Sequence, residues 1–546
     1  MNNLVKQEYD FWLQNAKEKE ILEELKSVAE NPKEMEDRFY KALSFGTGGL
    51  RGIIGAGTNR MNVYTVGRAT FGLASYMLNS GVKRSIAIAY DSRNMSKEFA
   101  RLVAEIMSSQ GIEAYLFDEL MPTPVLSYVV RRLDLGAGVV VTASHNPKEY
   151  NGYKVYNGAG CQITDGEAAK ITAEIEKFGY FNSFIPCEEG IHVLDEAVLD
   201  SFIDEIMNYS VFFDKKLVPS IVYSPLNGTG NKPVKKLFAR MGVTDYVVVP
   251  QQENPDGNFP TCPFPNPEEK SALQLALALA KEKGAELVIA TDPDADRVGI
   301  AVLENGEYRL LNGNETGILM ENFLLEKKKQ EGTLLENSYI VKTIVTTDLA
   351  ERIAAAFGVR TKNVLTGFKY IGEYIDACPK DANYVMGMEE SYGYLVGTHA
   401  RDKDAISAVM TIVEMLCYYR SKGQSLPQAL EGLYAKYGYF TSALYYKNFE
   451  GKSGMEFMSA FMNELRKNPW KDLAGEPVDE VKDYAEGIDG LPKSNVLVLN
   501  GAKFSAIIRP SGTEPKIKIY LTAKEETEAL SKALLEGLLN QVKTLL

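Results

Sequence analysis

Apolar and polar positions change rhythm several times along this chain of 546 residues. From residue 3 to about 43, Trp12, Leu13, Ile21, Leu22 and Leu25 recur at helical spacing among Glu and Lys, which predicts helices. A glycine-rich stretch follows, FGTGGLRGIIGAGTNRMN at 45–62. Short β-branched runs then alternate with amphipathic segments: SIAIAYDSRNMS, GAGVVVTASHNP, SIVYSPLNGTG, ELVIATDPDADR and YIVKTIVTT. Run, polar loop and helix in repetition predict α/β units on largely parallel or mixed sheets. After about residue 440 the pattern changes to a helix (MEFMSAFMNELRK), the strands SNVLVLNG, KFSAIIRP and KIKIYLTA, and a last helix. That helix is expected to open on a capping box, Thr522 with Glu525, and to carry Leu530, Leu534, Leu538 and Val542 on one face.

Breaks near 210, 308 and 440 give expected domains 1–210, 211–308, 309–440 and 441–546. The expected fold class is α/β: three α/β domains with mixed sheets plus a smaller C-terminal α+β domain. The length fits this, being too great for a single hydrophobic core. An apolar share of 45% and a charged share of 24% are those of an ordinary globular protein. The net charge of −13 argues against a nucleic-acid partner, although a local basic cluster can still hold an anion. The cysteines at 161, 187, 262, 378 and 417 form no CxxC pair, hence neither a disulfide framework nor a zinc knuckle is expected. The charged N-terminus is unlike a signal peptide, and no apolar run approaches the ~18 residues of a membrane helix. A cytoplasmic protein with no membrane partner is the expectation.

Four loops carry candidate chemistry. In VVVTASHNPKEYNGYKVYNG (139–158), Ser144 lacks the glycines of a nucleophile elbow, its neighbours being Ala143 and His145. On an extended segment adjacent side chains point to opposite faces, so His145 is expected to be a poor base for Ser144. A helix cap or turn serine is the plain alternative. The loop nevertheless ends a buried strand, where α/β active sites gather, and Lys154 follows ten residues on. In TDPDADR (291–297), Asp292, Asp294 and Asp296 can converge on one hard cation, Mg2+ being the natural choice. A calcium EF-hand is excluded, because Arg297 and Leu303 stand where glycine and glutamate are needed.

In IIRPSGTEPKIKIY (507–520), Arg509, Ser511, Thr513 and the backbone around Gly512 can form a phosphate nest, with Lys518 adding charge. A simple turn between strands explains that segment equally well. In MGMEESYGYLVGTHARDKDA (386–405), Glu389 and Ser391 can bind sugar hydroxyls, with Arg401 and Lys403 following; exposed acids at a helix start are the alternative. GKS at 451–453 is no phosphate loop, since Tyr446 replaces the first glycine, and GTGGLRG lacks the dinucleotide spacing at Arg51.

Together, TASHNP, DPDADR, MEESYG and RPSGTEP, in this order, resemble the α-D-phosphohexomutase superfamily over most of the chain. GTGGLRG resembles that family's Gly-Thr-Ser-Gly-Leu-Arg segment, with Gly48 where serine is usual and Arg51 retained. The resemblance implies four domains around a central active-site cleft and interconversion of α-D-glucose 1-phosphate with glucose 6-phosphate through bound glucose 1,6-bisphosphate. Mannose or pentose phosphates are the alternatives by the same mechanism, and a non-catalytic relative is a third. It implies that Ser144 is the phosphoserine and, with Asp292, Asp294 and Asp296, holds Mg2+. Arg51, His145, Lys154 and Arg297 would surround the reacting phosphate, Lys154 taking part in proton transfer. Thr366, Gly367, Glu389 and Ser391 would contact the sugar, and Lys403 would lie near it. Arg509, Ser511, Gly512, Thr513 and Lys518 would bind the other phosphate. The implied partner is a small sugar phosphate, and the implied state a monomer or homodimer.

Overall fold

The β-branched runs become the centres of sheets. The computed structural model describes residues 3–46, 48–379, 381–449, 451–510 and 516–546. The chain forms two compact units. One takes Met1–Gly313, Phe368–Lys380 and Ser391–Tyr418; the other takes Asn314–Gly367, Asp381–Glu390 and Tyr419–Leu546.

The first unit opens on helices Asn3–Asn15, Lys19–Ser27 and Pro32–Phe39. Their shared core centres on Trp12, which meets Phe39, Tyr64 and Phe181 edge-on. Six strands follow: β1 (Gly49–Ile53), β2 (Ser85–Tyr90), β3 (Glu113–Phe117), β4 (Ala137–Val141), β5 (Tyr150–Asn157) and β6 (Ile191–Leu194). They assemble in the order β1-β5-β4-β2-β3-β6. β2 is parallel to β3 and β4, β3 is parallel to β6, and β5 runs antiparallel to β4 and β1. All five residues of β4 are buried, as expected of a strand covered on both faces. Val139 and Val141 join Ile86 and Ile88 against Val66, Leu73 and Met77 of helix Val63–Asn79, and Phe99 and Val103 of helix Ser96–Ser109. Asn62 starts the first of these helices by accepting the N–H groups of Tyr64 and Thr65, a capping box completed by the Thr65 hydroxyl.

The second sheet consists of β7 (Ile221–Ser224), β8 (Tyr246–Val248), β9 (Leu287–Thr291), β10 (Val298–Glu304) and β11 (Glu307–Leu311), ordered β11-β10-β9-β7-β8. Its centre is parallel, and β10 and β11 turn back antiparallel. Both sheets are therefore mixed.

In the second unit β12 (Ser338–Thr343) lies parallel to both β13 (Arg360–Val364) and β14 (Asn383–Glu389). The C-terminal sheet is antiparallel, in the order Tyr439–Asn448, Lys516–Glu525, Phe504–Pro510, Leu497–Asn500, Glu480–Asp483. The last helix does not start where the sequence suggested. It spans Glu528–Leu545 and is capped by Thr527, while Thr522 and Glu525 lie in the strand Lys516–Glu525. The strict in–out alternation of Ile517, Ile519, Leu521 and Ala523 extends the strand through the apparent capping motif. Leu538 and Val542 are buried as expected, but Leu530, in the first turn, is 54% exposed. Among the described residues no helix is long and apolar enough to cross a membrane.

Gly152 shows how closely β5 is packed. A Cβ there would sit 2.4 Å from the Thr142 carbonyl oxygen, and Gly152 is paired with Arg51 on the other side. Gly152→Ala is expected to cost about 1–3 kcal/mol of unfolding free energy, measured by urea denaturation. An unchanged midpoint would mean that β5 shifts freely.

Candidate active site

β4 ends at Val141, and the chain turns sharply in the next few residues. Ser144 has φ +52°, the left-handed region that non-glycine residues seldom enter. Its N–H donates to the Thr142 hydroxyl at 2.8 Å, which fixes the turn. The Ser144 hydroxyl donates to Asp292 Oδ2 at 2.8 Å and lies 3.1 Å from His145 Nδ1. The expectation that Ser144 and His145 diverge is thus corrected: it assumed an extended backbone, and the left-handed residue brings the two side chains together. Burial, then the positive charges of Arg297 and Arg51, hold the His145 imidazole well below its usual range. His145 is therefore a neutral hydrogen-bonding group here.

The aspartates come from the corresponding position, the loop after β9. Asp292 Oδ1 accepts the N–H groups of Asp296 and Arg297 at 3.1 and 3.0 Å, which curls the loop so that its carboxylates converge. Asp292, Asp294 and Asp296 each offer an oxygen within 4.8 Å of the others, and all are buried. Like charges packed this way need counter-charge. Lys154 Nζ lies 2.8 Å from Asp294 and 3.6 Å from Asp296, and Lys403 Nζ lies 3.1 Å from Asp296. The split in acidity follows. Burial, then repulsion from Asp294 and Asp296, pushes the Asp292 carboxyl well above its usual range. Burial would do the same to Asp294, but the Lys154 ammonium reverses it and Asp294 is held well below. Burial opposes the charge on Lys154; the attraction of Asp294 and Asp296 outweighs it, so Lys154 is a firm ammonium.

The donor set suits a hard divalent cation. Oδ1 of Asp294 and Oδ1 of Asp296 are buried without a hydrogen-bond partner among the described residues, and every candidate ligand is an oxygen. The three aspartates form a group able to hold a metal ion. Arg297 leaves this loop to pair with Glu268, its Nε 3.8 Å from Asp296. Arg51, on β1, reaches Asn146 of the serine loop at 3.3 Å.

The remaining expected residues are divided between the two units. Ser391 lies in the turn after β14; the carbonyl of the next residue, Tyr392, accepts the Val298 N–H at 3.1 Å. In the second unit, Glu389 is buried at the end of β14 and accepts the Gly367 N–H at 2.9 Å, beside Thr366, whose hydroxyl is buried without a described partner. Glu389 is thus not an exposed acid at a helix start. Arg509 and Lys518 stand directly opposite each other on adjacent strands. Like charges so placed repel, an arrangement suited to a bound anion. Ser511, Gly512 and Thr513 lie outside the described residues.

Sequence reasoning passed over three residues that complete this site. Asp402 bonds Lys403 at 3.2 Å and accepts the Tyr156 hydroxyl at 2.6 Å, fixing the lysine. Thr123 donates to Asp294 at 3.0 Å. Arg93 donates to backbone carbonyls of the serine loop. Apart from Lys403, their partners are distant in sequence, so no local pattern announced them.

Comparison with known proteins agrees with the motifs. Residues 42–180, 200–306 and 312–437 match family models described as phosphoglucomutase/phosphomannomutase α/β/α domains I, II and III. A curated phosphoglucomutase of Staphylococcus saprophyticus is 34% identical over 538 residues, covering 94% of this chain and 96% of the relative. The chain belongs to the phosphoglucomutase/phosphomannomutase family. A Staphylococcus haemolyticus phosphoglucomutase is 36% identical, covering 89% of this chain and 91% of its own. The family fold recurs in the Paramecium phosphoglucomutase parafusin at TM-score 0.71 and 18% identity, over 92% of this chain and 94% of that one. A Burkholderia thailandensis family member gives TM-score 0.69 at 19% identity, over 92% and 97% of the two chains. A member of this family is an enzyme that transfers phosphate intramolecularly, an isomerase.

Proposed function

We propose that the protein interconverts α-D-glucose 1-phosphate and glucose 6-phosphate, with Ser144 as the phosphoryl carrier and glucose 1,6-bisphosphate as the intermediate. The observation that carries this reading is the Ser144 hydroxyl held 2.8 Å from Asp292, at the edge of a carboxylate cluster already matched to cations. The long curated relatives named phosphoglucomutase support glucose as the sugar.

Phosphoryl transfer spreads charge over equatorial oxygens, so the protein's task is positioning and charge stabilisation. Ser144 with Asp292, Asp294 and Asp296 would hold Mg2+. When bound, the ion neutralises charge on the transferring group. In the first half-reaction the Oγ–P bond of phosphoserine breaks as a sugar oxygen–P bond forms, and the proton of that sugar hydroxyl ends on Ser144 Oγ. In the second, the O–P bond at the other sugar position breaks as the Oγ–P bond re-forms, and the serine proton ends on the freed sugar oxygen. Lys154, kept as an ammonium, is assigned to relay the proton in both directions, to the serine in the first half-reaction and back to the sugar in the second. Arg51, His145 and Arg297 surround the phosphate. Thr366, Gly367, Glu389 and Ser391 read sugar hydroxyls, Lys403 lies near them, and Arg509, Ser511, Gly512, Thr513 and Lys518 hold the phosphate that does not react. The reaction calls for no nucleic acid or membrane, and we place it in the cytoplasm with the chain a monomer or homodimer.

The sugar is tested by assaying glucose, mannose and ribose 1-phosphates with catalytic amounts of the matching bisphosphates. The highest kcat/KM is expected for glucose; a dominant preference for mannose or ribose would replace the substrate while leaving the mechanism.

A further inference from the structure

The loop that carries Ser144 has little regular structure of its own, yet the proposed chemistry needs its hydroxyl fixed against an aspartate from another sheet. Arg93 meets that need. Its side chain is fully buried at the end of β2, and its two terminal nitrogens donate to four carbonyl oxygens of one loop: Ser144, Asn146, Pro147 (2.9 Å) and Tyr150 (3.1 Å). A lysine has one nitrogen and cannot span four carbonyls spread over seven residues.

The guanidinium is held from two directions. Asp91 lies 3.3 Å from Nε, and Asp91 in turn accepts from the Thr142 hydroxyl at 2.6 Å, the same hydroxyl that receives the Ser144 N–H. The Phe259 ring, on the segment after β8, packs against the guanidinium with its centroid 5.0 Å away. One residue therefore touches the serine loop, the strand beside it and the domain that supplies the aspartates. The left-handed backbone of Ser144 is held in the same place.

We propose that Arg93 is the positioning residue for phosphoryl transfer: it sets the Ser144 Oγ in line with Asp292 by clamping residues 144–150, without itself touching the substrate. The proposal rests on Ser144 being the carrier.

Arg93→Lys keeps the charge opposite Asp91 and so preserves the fold, but loses most of the clamp. It is expected to lower kcat about 10²-fold, the effect of an ångström-scale misplacement, with KM for glucose 1-phosphate within about twofold. Amide exchange over 143–151 is expected to rise in Arg93→Lys while the sheet amides stay protected. Arg93→Ala is expected to lose more and to recover part of its kcat in millimolar guanidinium chloride, whereas equal urea gives nothing. Wild-type kcat and unchanged loop exchange in Arg93→Lys would overturn the proposal, as would a loss that falls on KM alone. Should Arg93→Ala fail to fold, Arg93→Lys decides. The wild type assayed alongside separates the two claims: no mutase turnover in it would sink the proposed function, whereas an active wild type with an equally active Arg93→Lys would sink only the clamp.

Discussion

Ser144→Ala is expected to abolish mutase turnover, by on the order of 10⁴ to 10⁶ in kcat, while leaving the fold intact. The magnitude follows from what the hydroxyl does. Without Oγ there is no oxygen to receive the phosphoryl group between its departure from one sugar position and its arrival at the other. The cations around the site would still bind sugar phosphate, so KM or inhibitor affinity is expected to change far less than kcat. Stability should change little, because the hydroxyl's bonds are to Asp292, already crowded by two other carboxylates, and to His145. A coupled assay with glucose 1-phosphate and bisphosphate measures the first effect, and thermal melting the second. Activity within tenfold of wild type would remove the serine from the mechanism.

The second large effect is expected from the metal. Chelation with EDTA followed by gel filtration is expected to reduce kcat by more than about 10²-fold, with recovery on adding Mg2+. The chain should stay folded meanwhile, since Lys154 and Lys403 sit against the carboxylates the ion would occupy. The same contacts imply competition: a cation entering the cluster must displace ammonium groups or share oxygens with them. Added Mg2+ should therefore stabilise the apo protein only by the linkage amount, about 2.7 kcal/mol at a hundredfold excess over Kd. Asp296→Asn removes one carboxylate oxygen and a partner of both lysines, and is expected to weaken both metal-dependent activity and Mg2+-induced stabilisation. Full activity in EDTA would contradict the role given to the three aspartates.

Much of this site is legible in the sequence because its chemistry is concentrated in residue types that loops rarely assemble by chance. Three aspartates at alternate positions after ELVIA converge as their spacing suggests, and Lys154 reaches them from β5. What could not be read depends on backbone angles and on distant partners. Ser144 contacts His145 only because its φ is positive, which no local residue preference announces. Thr522 and Glu525 imitate a cap, and only strand pairing with Tyr439–Asn448 and Phe504–Pro510 reveals them as sheet residues. Arg93 looks like an ordinary loop arginine until the carbonyls it binds, more than fifty residues away in sequence, are folded onto it. The two compact units are likewise interleaved along the chain, so no single composition break marks them.

Whether Ser144 carries the phosphoryl group is decided by incubating the enzyme with glucose 1,6-bisphosphate and mapping its peptides by mass spectrometry. The expected result is the added mass of one phosphate on Ser144, lost when the enzyme is mixed with excess glucose 1-phosphate or glucose 6-phosphate. A fully active enzyme whose phosphate lies on another residue, or on none, would contradict it.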